Sequence, residues 1–350
     1  MAIRSRTFRE TYQEDIRLLQ TIWVKWWWAI LGIILVTFPY WADSYFVYMF
    51  NLTVIFAIAG MGLNILIGAA GQISLSQGAF VGVGAYTTAI LASNYDLPFP
   101  IIIAAAGAVA AASSVPIGVI SLRIKGLYLA MATLAFGEFM QYLFIHWESL
   151  TRGCFGIPVP PMKLAGLTFD TNERLYYPFL IITALLFLIA KNILRSRTGR
   201  AFVAIRDRDI AAECMGVNLV KYKIIAFTLS AFYAGIAGAF YAFVVMHVNP
   251  FYFSLLLSIE YVMVVIVGGL GTVLGSILGA LFVVILPEFI KSSFDALAVI
   301  FPTVAGVYDE EWNIAVYGLM IVLFLILEPG GIAAIYLRVK KCFKNWPFTY

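Results

Sequence analysis

Long apolar runs alternate with short polar segments along nearly the whole chain. A helix needs about 20 apolar residues to cross the hydrocarbon of a bilayer, and this length identifies ten candidate spans. Several of them are short, which predicts that some helices are broken or do not cross fully. The candidate spans are 26–42, 45–67, 79–93, 98–120, 127–146, 177–194, 224–246, 255–269, 272–288 and 313–328.

The composition agrees with a membrane protein. Of the 350 residues, 62% are hydrophobic and 12% are charged, whereas soluble globular domains average about 45–50% apolar and about 25% charged residues. The predicted fold class is therefore all-α, a polytopic membrane protein with about ten (8–10) transmembrane helices. The first 25 residues are polar and basic, so no cleavable signal peptide is expected.

Positive charge predicts the orientation. Cytoplasmic loops of membrane proteins are enriched in Lys and Arg, and all but four of the 23 Lys and Arg residues lie in 1–25, 121–126, 191–223 and 337–350. These segments fall on one side of the membrane if the N terminus is inside. We therefore expect a multi-pass inner-membrane protein with both termini in the cytoplasm.

The predicted organisation follows from these spans. A cytoplasmic N-terminal segment, 1–25, precedes one transmembrane domain, 26–336, and a cytoplasmic tail, 337–350, follows it. Loops on the outer side are expected at 147–176 and 289–312. Neither the tryptophans near the N terminus nor the basic tail suggests more than an anchor at the membrane interface.

A polar stretch at 71–78 interrupts the apolar sequence after the second span. Irregular backbone at membrane depth is tolerated only against protein or a water-filled cavity, and broken helices line substrate paths in many transporters. A plain cytoplasmic turn between two spans is the alternative. The polar side chains that are candidates for a translocation path here are Asn64, Gln72, Ser74, Ser76 and Gln77.

Two carboxylates lie within predicted spans, Glu138 and Glu260. Ionisable side chains in a span are costly and tend to face a cavity or a partner, so both are further path candidates. Each could instead be a structural clamp, and Glu260 could sit near the outer interface. A proton pathway is a weak prediction, because neither carboxylate has a nearby His or Arg relay.

The segment 195–223 is a charged, helix-prone island between two apolar spans. With Lys191 it holds eight basic residues, and its length of nearly 30 residues exceeds a typical connection between helices. A short helix is predicted from Asp207 to Gly216, where glycine could end it. Such a helix could dock on a cytosolic protein, lie in the membrane interface or simply connect.

No catalytic, cofactor or metal site is predicted. The glycine-rich sequence 268–276 lacks the Lys of a phosphate-binding loop, and the two His and three Cys residues have no ligand partners at metal spacing. If nucleotide energy drives this protein, another subunit must bind the ATP. No nucleic-acid partner is expected.

Five stretches in matching order, from about 60 to 340, resemble the permease subunits of ABC importers, specifically the branched-chain amino acid permease family of LivM type. The chain departs from the family pattern at 151–154 and at 76–77, which bears on the substrate rather than on membership. The matching stretches are 62–68 with 71–80, 131–138 with 147–151, 206–207 with 211–213 and Gly216, 258–261 with 268–271, and 327–331.

The resemblance implies one half of an importer, with the permease fold shared with ribose-type importers. Its partners would be the lipid bilayer, a homologous LivH-type permease, two ABC ATPase subunits of LivG/LivF type, which bind the ATP, and a periplasmic amino-acid-binding protein. The island would be the coupling loop, and its ATPase-contacting residues would be Gly199, Arg200, Arg206, Asp207, Ala211, Ala212, Glu213 and Gly216.

Three functions remain open at this point. The first is an ATP-driven permease subunit for Leu, Ile and Val, or within the same family for urea, amides or aromatic acids. The second is an ion-driven secondary transporter, which Glu138 would favour and the coupling-like loop disfavours. The third is a membrane-embedded enzyme, which would need a cluster of catalytic side chains that the sequence lacks.

Overall fold

The computed structural model describes residues 22–95, 97–164, 167–300, 311–328 and 330–345. Most of the predicted N-terminal segment 1–25, the middle of the predicted loop 289–312 and the end of the tail 337–350 lie outside the described residues. The chain divides into two units, 1–47 and 48–350, and the functional residues discussed below belong to the second.

The described chain is predominantly helical, as the apolar runs predict. A π-helical turn, Ile65–Ala69, directly follows α2. In chain order the helices are α1 (Ile22–Trp41), α2 (Ser44–Asn64), α3 (Gln77–Asn94), α4 (Phe99–Ser113), α5 (Val115–Ile120), α6 (Leu127–His146), α7 (Glu148–Thr151), α8 (Asn172–Arg195), α9 (Arg197–Asp207), α10 (Asp209–Cys214), α11 (Leu219–Val245), α12 (Leu255–Gly268), α13 (Val273–Ile300), α14 (Glu311–Leu327) and α15 (Gly331–Asn345).

The prediction of an all-α membrane fold with several spans is confirmed. Within the described ranges, six helical segments are long and apolar enough to cross a membrane. Shorter apolar helices occur at Gly32–Trp41, Leu255–Gly268 and Ala315–Phe324. The helix α3 has 18 residues and is not among the six, because Gly, Ser, Thr, Asn and Gln lower its hydropathy. The count of about ten spans remains a prediction.

Two small β-ladders interrupt the helical pattern, mainly in the loop 147–176. Strand β1 (Ile157–Pro158) pairs antiparallel with β4 (His247–Val248), with Ile157 opposite Val248. Strand β2 (Met162–Leu164) pairs antiparallel with β3 (Leu167–Phe169). Strands of two or three residues carry no periodic signal, so the sequence pattern does not predict them.

Several helices extend beyond the predicted spans, and α15 forms after the last of them. Helix α8 begins at Asn172, α13 continues to Ile300, and α15 crosses the predicted boundary between the transmembrane domain and the tail. A run of about 20 apolar residues marks the part of a helix that crosses the hydrocarbon, and the helix itself can be longer. Helices therefore continue through residues that were predicted to be loop.

The core of the second unit is built around α11, which packs most extensively against α3 and α4. The contact runs through small residues: a Cβ added at Gly84 would lie 2.2 Å from the carbonyl oxygen of Gly235, and one added at Gly238 would lie 2.0 Å from that of Val81. Small residues let membrane helices approach closely. Gly78 and Gly82 on α3 are similarly close-packed.

Helix α12 turns sharply into α13, and α14 and α15 pack against this pair. The turn relies on Gly269 and Gly271, whose φ angles of 120° and 76° disfavour other residues. The turn packs against Gly331 at the start of α15, where an added Cβ would lie 2.6 Å from the backbone nitrogen of Gly269. The glycine-rich sequence is thus a packed turn between two helices.

Candidate functional site

The polar stretch after α2 is a break in the helical structure, not a continuous helix. In the π-helical turn the N–H of Ala70 donates to Ile65 over 3.1 Å, and that of Gln72 donates to Leu66 over 3.0 Å. Gly71 then has a φ angle of +67°. The chain remains irregular until α3 begins at Gln77, so the predicted interruption is real.

Asn64, the last residue of α2, fixes this break to the α12–α13 turn. Its Nδ2 donates to the carbonyl oxygen of Thr272 over 2.8 Å and to Ser276 Oγ over 2.9 Å. The backbone N–H of Gly271 donates to its Oδ1 over 2.6 Å. All the polar atoms of this amide therefore have partners inside the chain, and the side chain is 2% exposed.

The other polar candidates of the break also face the interior. Ser74 and Ser76 bond to each other through their hydroxyls, 3.0 Å apart, and Gln72 donates to the carbonyl oxygen of Ala70. Gln77 Nε2 donates to Ala59 on α2 over 2.9 Å, and its Oε1 accepts from Ser230 on α11 over 3.1 Å. Gln77 therefore joins three helices, the bonds of Gln72, Ser74 and Ser76 stay within the break, and Gly71 and Ile73 are exposed on its surface.

Glu138 differs from this group. It is exposed near the middle of α6, and no ion pair or hydrogen bond links it to another side chain in the described ranges. Only 22% of the spanning window of α6 is buried inside the chain, against 83% for α2 with its π-helical turn. The helix that carries Glu138 therefore presents most of its surface outwards.

Glu260, on the first turns of α12, is partly buried. Its carboxylate lies close to the phenol groups of Tyr241 and Tyr261, and the rings of Tyr241 and Tyr252 are 6.1 Å apart. Two residues before Glu260, Ser258 Oγ accepts a hydrogen bond from the backbone N–H of Gly78 over 2.9 Å, so the start of α12 contacts the start of α3 where the break ends.

The charged island folds into two helices: the short helix predicted from Asp207 to Gly216 is present over a shorter range, and a second helix that was not predicted precedes it. Helix α9 takes Arg197–Asp207 and α10 takes Asp209–Cys214. Arg208 between them is extended, with φ −157° and ψ 99°. The amphipathic character of α9 explains the difference: Ala201, Phe202 and Ile205 are buried, so this face must pack against the membrane helices.

The residues expected to contact an ATPase fall into two groups. The buried ones support the loop: a Cβ added at Gly199 would lie 2.1 Å from the carbonyl oxygen of Leu194, and Ala212 is 5% exposed. The remaining ones lie on the surface, where Ile210 and Met215 are 71% and 85% exposed beside them. The exposed residues of the predicted set are Arg200, Arg206, Asp207, Ala211, Glu213 and Gly216.

Arg206 connects this surface to the break. Its Nη1 donates to the carbonyl oxygen of Gly68 over 2.9 Å, while Asp207 accepts from the same guanidinium over 3.2 Å. A Cβ added at Gly71 would lie 2.7 Å from Arg206 Cγ. The arginine thus touches the π-helical turn directly, a contact that sequence spacing could not indicate.

A second connection joins α10 to the loop before α6. The Lys125 ammonium forms an ion pair and a hydrogen bond with Asp209, and these hold the pKa of that carboxyl below its usual range. Buried Lys223 on α11 reaches the carbonyl oxygen of Ser121 in the same loop over 3.5 Å. Neither Lys125 nor Asp209 was among the predicted site residues, although both lie in segments that positive charge marked as cytoplasmic.

Taken together, the geometry defines a membrane-embedded helical body with a helical segment at one end, tied to a broken transmembrane helix by Arg206 and to α6 by Lys125. The chain belongs to the family described as "Branched-chain amino acid transport system / permease component", whose model matches residues 45–325.

Curated relatives agree with this family. The chain is 30% identical over 326 residues to the "High-affinity branched-chain amino acid transport system permease protein LivM" of Salmonella typhimurium, covering 86% of this chain and 73% of the relative. The Escherichia coli protein of the same description matches over the same shares. The "Autoinducer 2 import system permease protein LsrC" of Enterobacter sp. is 26% identical over 301 residues, covering 79% of this chain and 78% of the relative. No solved structure matches.

These relatives are permease components of import systems, not enzymes. The predicted family and the multi-pass membrane class are thereby confirmed. The relatives also differ in cargo, because the LsrC protein is described for autoinducer 2.

Proposed function

We propose that this chain is the membrane-spanning permease subunit of an ATP-driven importer for amino acids with branched apolar side chains. It would form half of the translocation path against a second, LivH-type permease. Two ABC ATPase subunits of LivG/LivF type would bind the ATP, and a periplasmic amino-acid-binding protein would deliver the substrate. The support for the amino acid class is the likeness to the LivM proteins.

One observation carries the coupling part of the proposal, the hydrogen bond from Arg206 to Gly68. The surface of α10, with exposed Ile210, Glu213 and Met215, is the site at which an ATPase would dock. Displacement of α9 and α10 would then pull on the π-helical turn through Arg206. Because packed interfaces move between discrete arrangements rather than deform continuously, a small displacement there can be amplified.

The proposed orientation puts α9 and α10 in the cytoplasm. The excess of Lys and Arg in 121–126, 191–223 and 337–350 supports it. The turns at Gly71 and Gly271 and the start of α15 at Gly331 lie at the same end of the fold as Arg206. Both termini are accordingly proposed to be cytoplasmic.

Reconstitution tests this function. The four-component complex and its binding protein would be placed in proteoliposomes, and uptake of labelled leucine, urea, benzoate and fructose would be measured with and without ATP. ATP-dependent uptake of leucine is expected. Leucine uptake that needs only an ion gradient would show a secondary transporter, and ATP-driven uptake of another solute would leave the permease role intact with a different cargo.

A further inference from the structure

Glu138 is the one acidic side chain of α6 and lies twelfth among its 20 residues. At about 1.5 Å per residue the carboxylate sits roughly 16 Å from the beginning of the helix. A hydrocarbon core is about 30 Å thick, so Glu138 lies near its centre if α6 crosses the membrane. The side chain is nevertheless exposed on the surface of this chain.

Such a position is costly without a partner. A charged side chain at the centre of a bilayer costs about 2.5–3.5 kcal/mol on insertion scales and more in other estimates. Among the described residues no Lys, Arg or His forms an ion pair with Glu138, whereas Asp209 and Glu328 pair with Lys125 and Arg338. In the assembled transporter the carboxylate must therefore meet water or a cation that this part of the chain does not supply.

Helix α6 also lies against the break in the membrane structure. Thr133 Oγ1 accepts a hydrogen bond from the backbone N–H of Leu75 over 3.0 Å. A Cβ added at Gly137 would lie 3.6 Å from the carbonyl oxygen of Leu75. Glu138 is the residue after Gly137 and lies about 100° further round the helix. It is therefore at the edge of the irregular segment.

Irregular backbone at membrane depth requires protein or a water-filled cavity beside it. The exposed side of α6 next to Glu138 carries Phe139 and Tyr142. This combination offers one negative charge among apolar and aromatic side chains. Those are the complementary groups for a solute with one cationic end and an apolar body.

We propose that Glu138 binds the ammonium group of the amino acid while it passes through the translocation path. The assignment rests on the proposed function, since it takes an amino acid as the cargo. An ammonium supplies the missing cation and can donate charge-assisted hydrogen bonds to the carboxylate. The same carboxylate would disfavour benzoate, which is an anion, and would gain little from urea, which is neutral.

The complete complex in proteoliposomes tests the proposal. Glu138→Gln keeps the shape and removes the charge, and we expect ATP-dependent leucine uptake to fall about 10- to 100-fold, the loss of a charged hydrogen bond. Glu138→Asp keeps the charge and should retain more uptake than Glu138→Gln. The matched control is Glu148→Gln, the same change at a carboxylate outside the spans, which should leave uptake unchanged.

A second measurement shows whether residue 138 faces an aqueous path or is buried against another part of the complex. Glu138→Cys would be made after Cys154, Cys214 and Cys342 are replaced by Ser, and reaction with a hydrophilic thiol reagent would be followed in the complex. A residue in an aqueous path is expected to react, and leucine with binding protein and ATP should slow the reaction. A thiol that stays unreactive in every state would overturn the proposal.

Two further outcomes are decisive. Unchanged leucine uptake by Glu138→Gln overturns the ammonium site, and so does loss of the second permease from the purified Glu138→Gln complex, because the carboxylate would then pair with that subunit. Both leave the proposed function standing. If the unaltered complex imports no leucine but carries urea or benzoate, the cargo of the proposed function fails and the ammonium site fails with it.

Discussion

The guanidinium of Arg206 and the carbonyl oxygen of Gly68 are joined by a hydrogen bond of 2.9 Å across 138 positions of sequence. Gly68 lies in the π-helical turn that ends α2, and Arg206 lies at the end of α9. Arg206 therefore connects α9 to the broken transmembrane helix. Asp207 orients it from the other side, 3.2 Å away.

Arg206→Ala is expected to uncouple ATP hydrolysis from transport without releasing the ATPase subunits. The variant removes the contact with Gly68 but leaves the exposed α10 surface unchanged. We expect leucine imported per ATP hydrolysed to fall about fivefold or more, the usual scale of coupling between sites. ATPase activity, uptake and co-purification of the subunits would be measured on the same preparation.

Two variants serve as references for that measurement. Arg197→Ala removes an exposed arginine from the same helix and should keep coupling near that of the unaltered complex. Glu213→Ala alters the proposed docking surface and should instead lower co-purification of the ATPase. If Arg206→Ala also loses the ATPase, Arg206 belongs to the docking surface, as the sequence predicts. Its role as the connection between α9 and the π-helical turn would then be wrong.

The Asp209–Lys125 ion pair is expected to add a small, pH-dependent stability. The pKa of Asp209 is lowered by the hydrogen bond from Lys125, so this stabilisation is present above the unfolded-state pKa of about 3.9. It is lost as the pH falls through the lower folded-state value. The side chain of Lys125 is 59% exposed, and exposed pairs contribute about 0.2–1 kcal/mol.

Thermal unfolding of the detergent-solubilised complex would check this. Asp209→Asn should unfold at a slightly lower temperature than the unaltered protein from about pH 5 to pH 8, and the difference should shrink as the pH falls below about 4 and vanish below the folded-state pKa of Asp209. Asp170→Asn, which removes a more exposed pair with Arg174, should change little. A difference for Asp209→Asn that grows towards low pH would contradict the ion-pair explanation.

Local features of the sequence were sufficient to predict the helical membrane fold. Runs of apolar residues identify helices, Lys and Arg mark one side, and Gly71 with its polar neighbours marks the break after α2. Each signal is contained in about 20 residues or fewer. The family resemblance extended these signals to an expected function, and the match over 45–325 confirmed the family.

The roles of individual polar residues could not be predicted in the same way. Asn64 and Gln77 looked like path candidates because they are polar residues in an apolar region. Their partners, at Gly271 and Ser230, lie more than 150 positions away, so only the fold shows that both join helices. The partition of the island at Arg208 depends similarly on the buried face of α9, which needs the membrane helices to pack against.

Asn64→Leu is expected to destabilise the protein markedly. The change leaves the buried hydroxyl of Ser276 and the less buried N–H of Gly271 and carbonyl of Thr272 without their partner, and a buried polar group left unsatisfied costs about 1–3 kcal/mol. A loss of about 2–5 kcal/mol follows for these groups together. Thermal unfolding and the fraction of monodisperse complex would measure it.

Asn51→Leu is the matched control on the same helix. Asn51 is fully buried too, but it makes one hydrogen bond, from Nδ2 to Asn172 over 3.0 Å, and its Oδ1 has no partner among the described residues. Its replacement should cost clearly less than that of Asn64. Equal losses at both positions would argue that volume, rather than the three hydrogen bonds, determines the effect at Asn64.

Gly84→Ala is expected to disrupt the packing of α3 on α11. The new methyl group would lie 2.2 Å from the carbonyl oxygen of Gly235 and 2.5 Å from its Cα, closer than atoms can approach, so the two helices must separate. Overpacking of this kind costs about 1–3 kcal/mol.

The same substitution at Gly318 on α14 meets nothing within 4 Å. Alanine is favoured over glycine in a helix by about 1 kcal/mol, so Gly318→Ala should be neutral or stabilising. The unfolding temperatures of the two variants should therefore shift in opposite directions or differ clearly, and equal shifts would contradict close packing at Gly84.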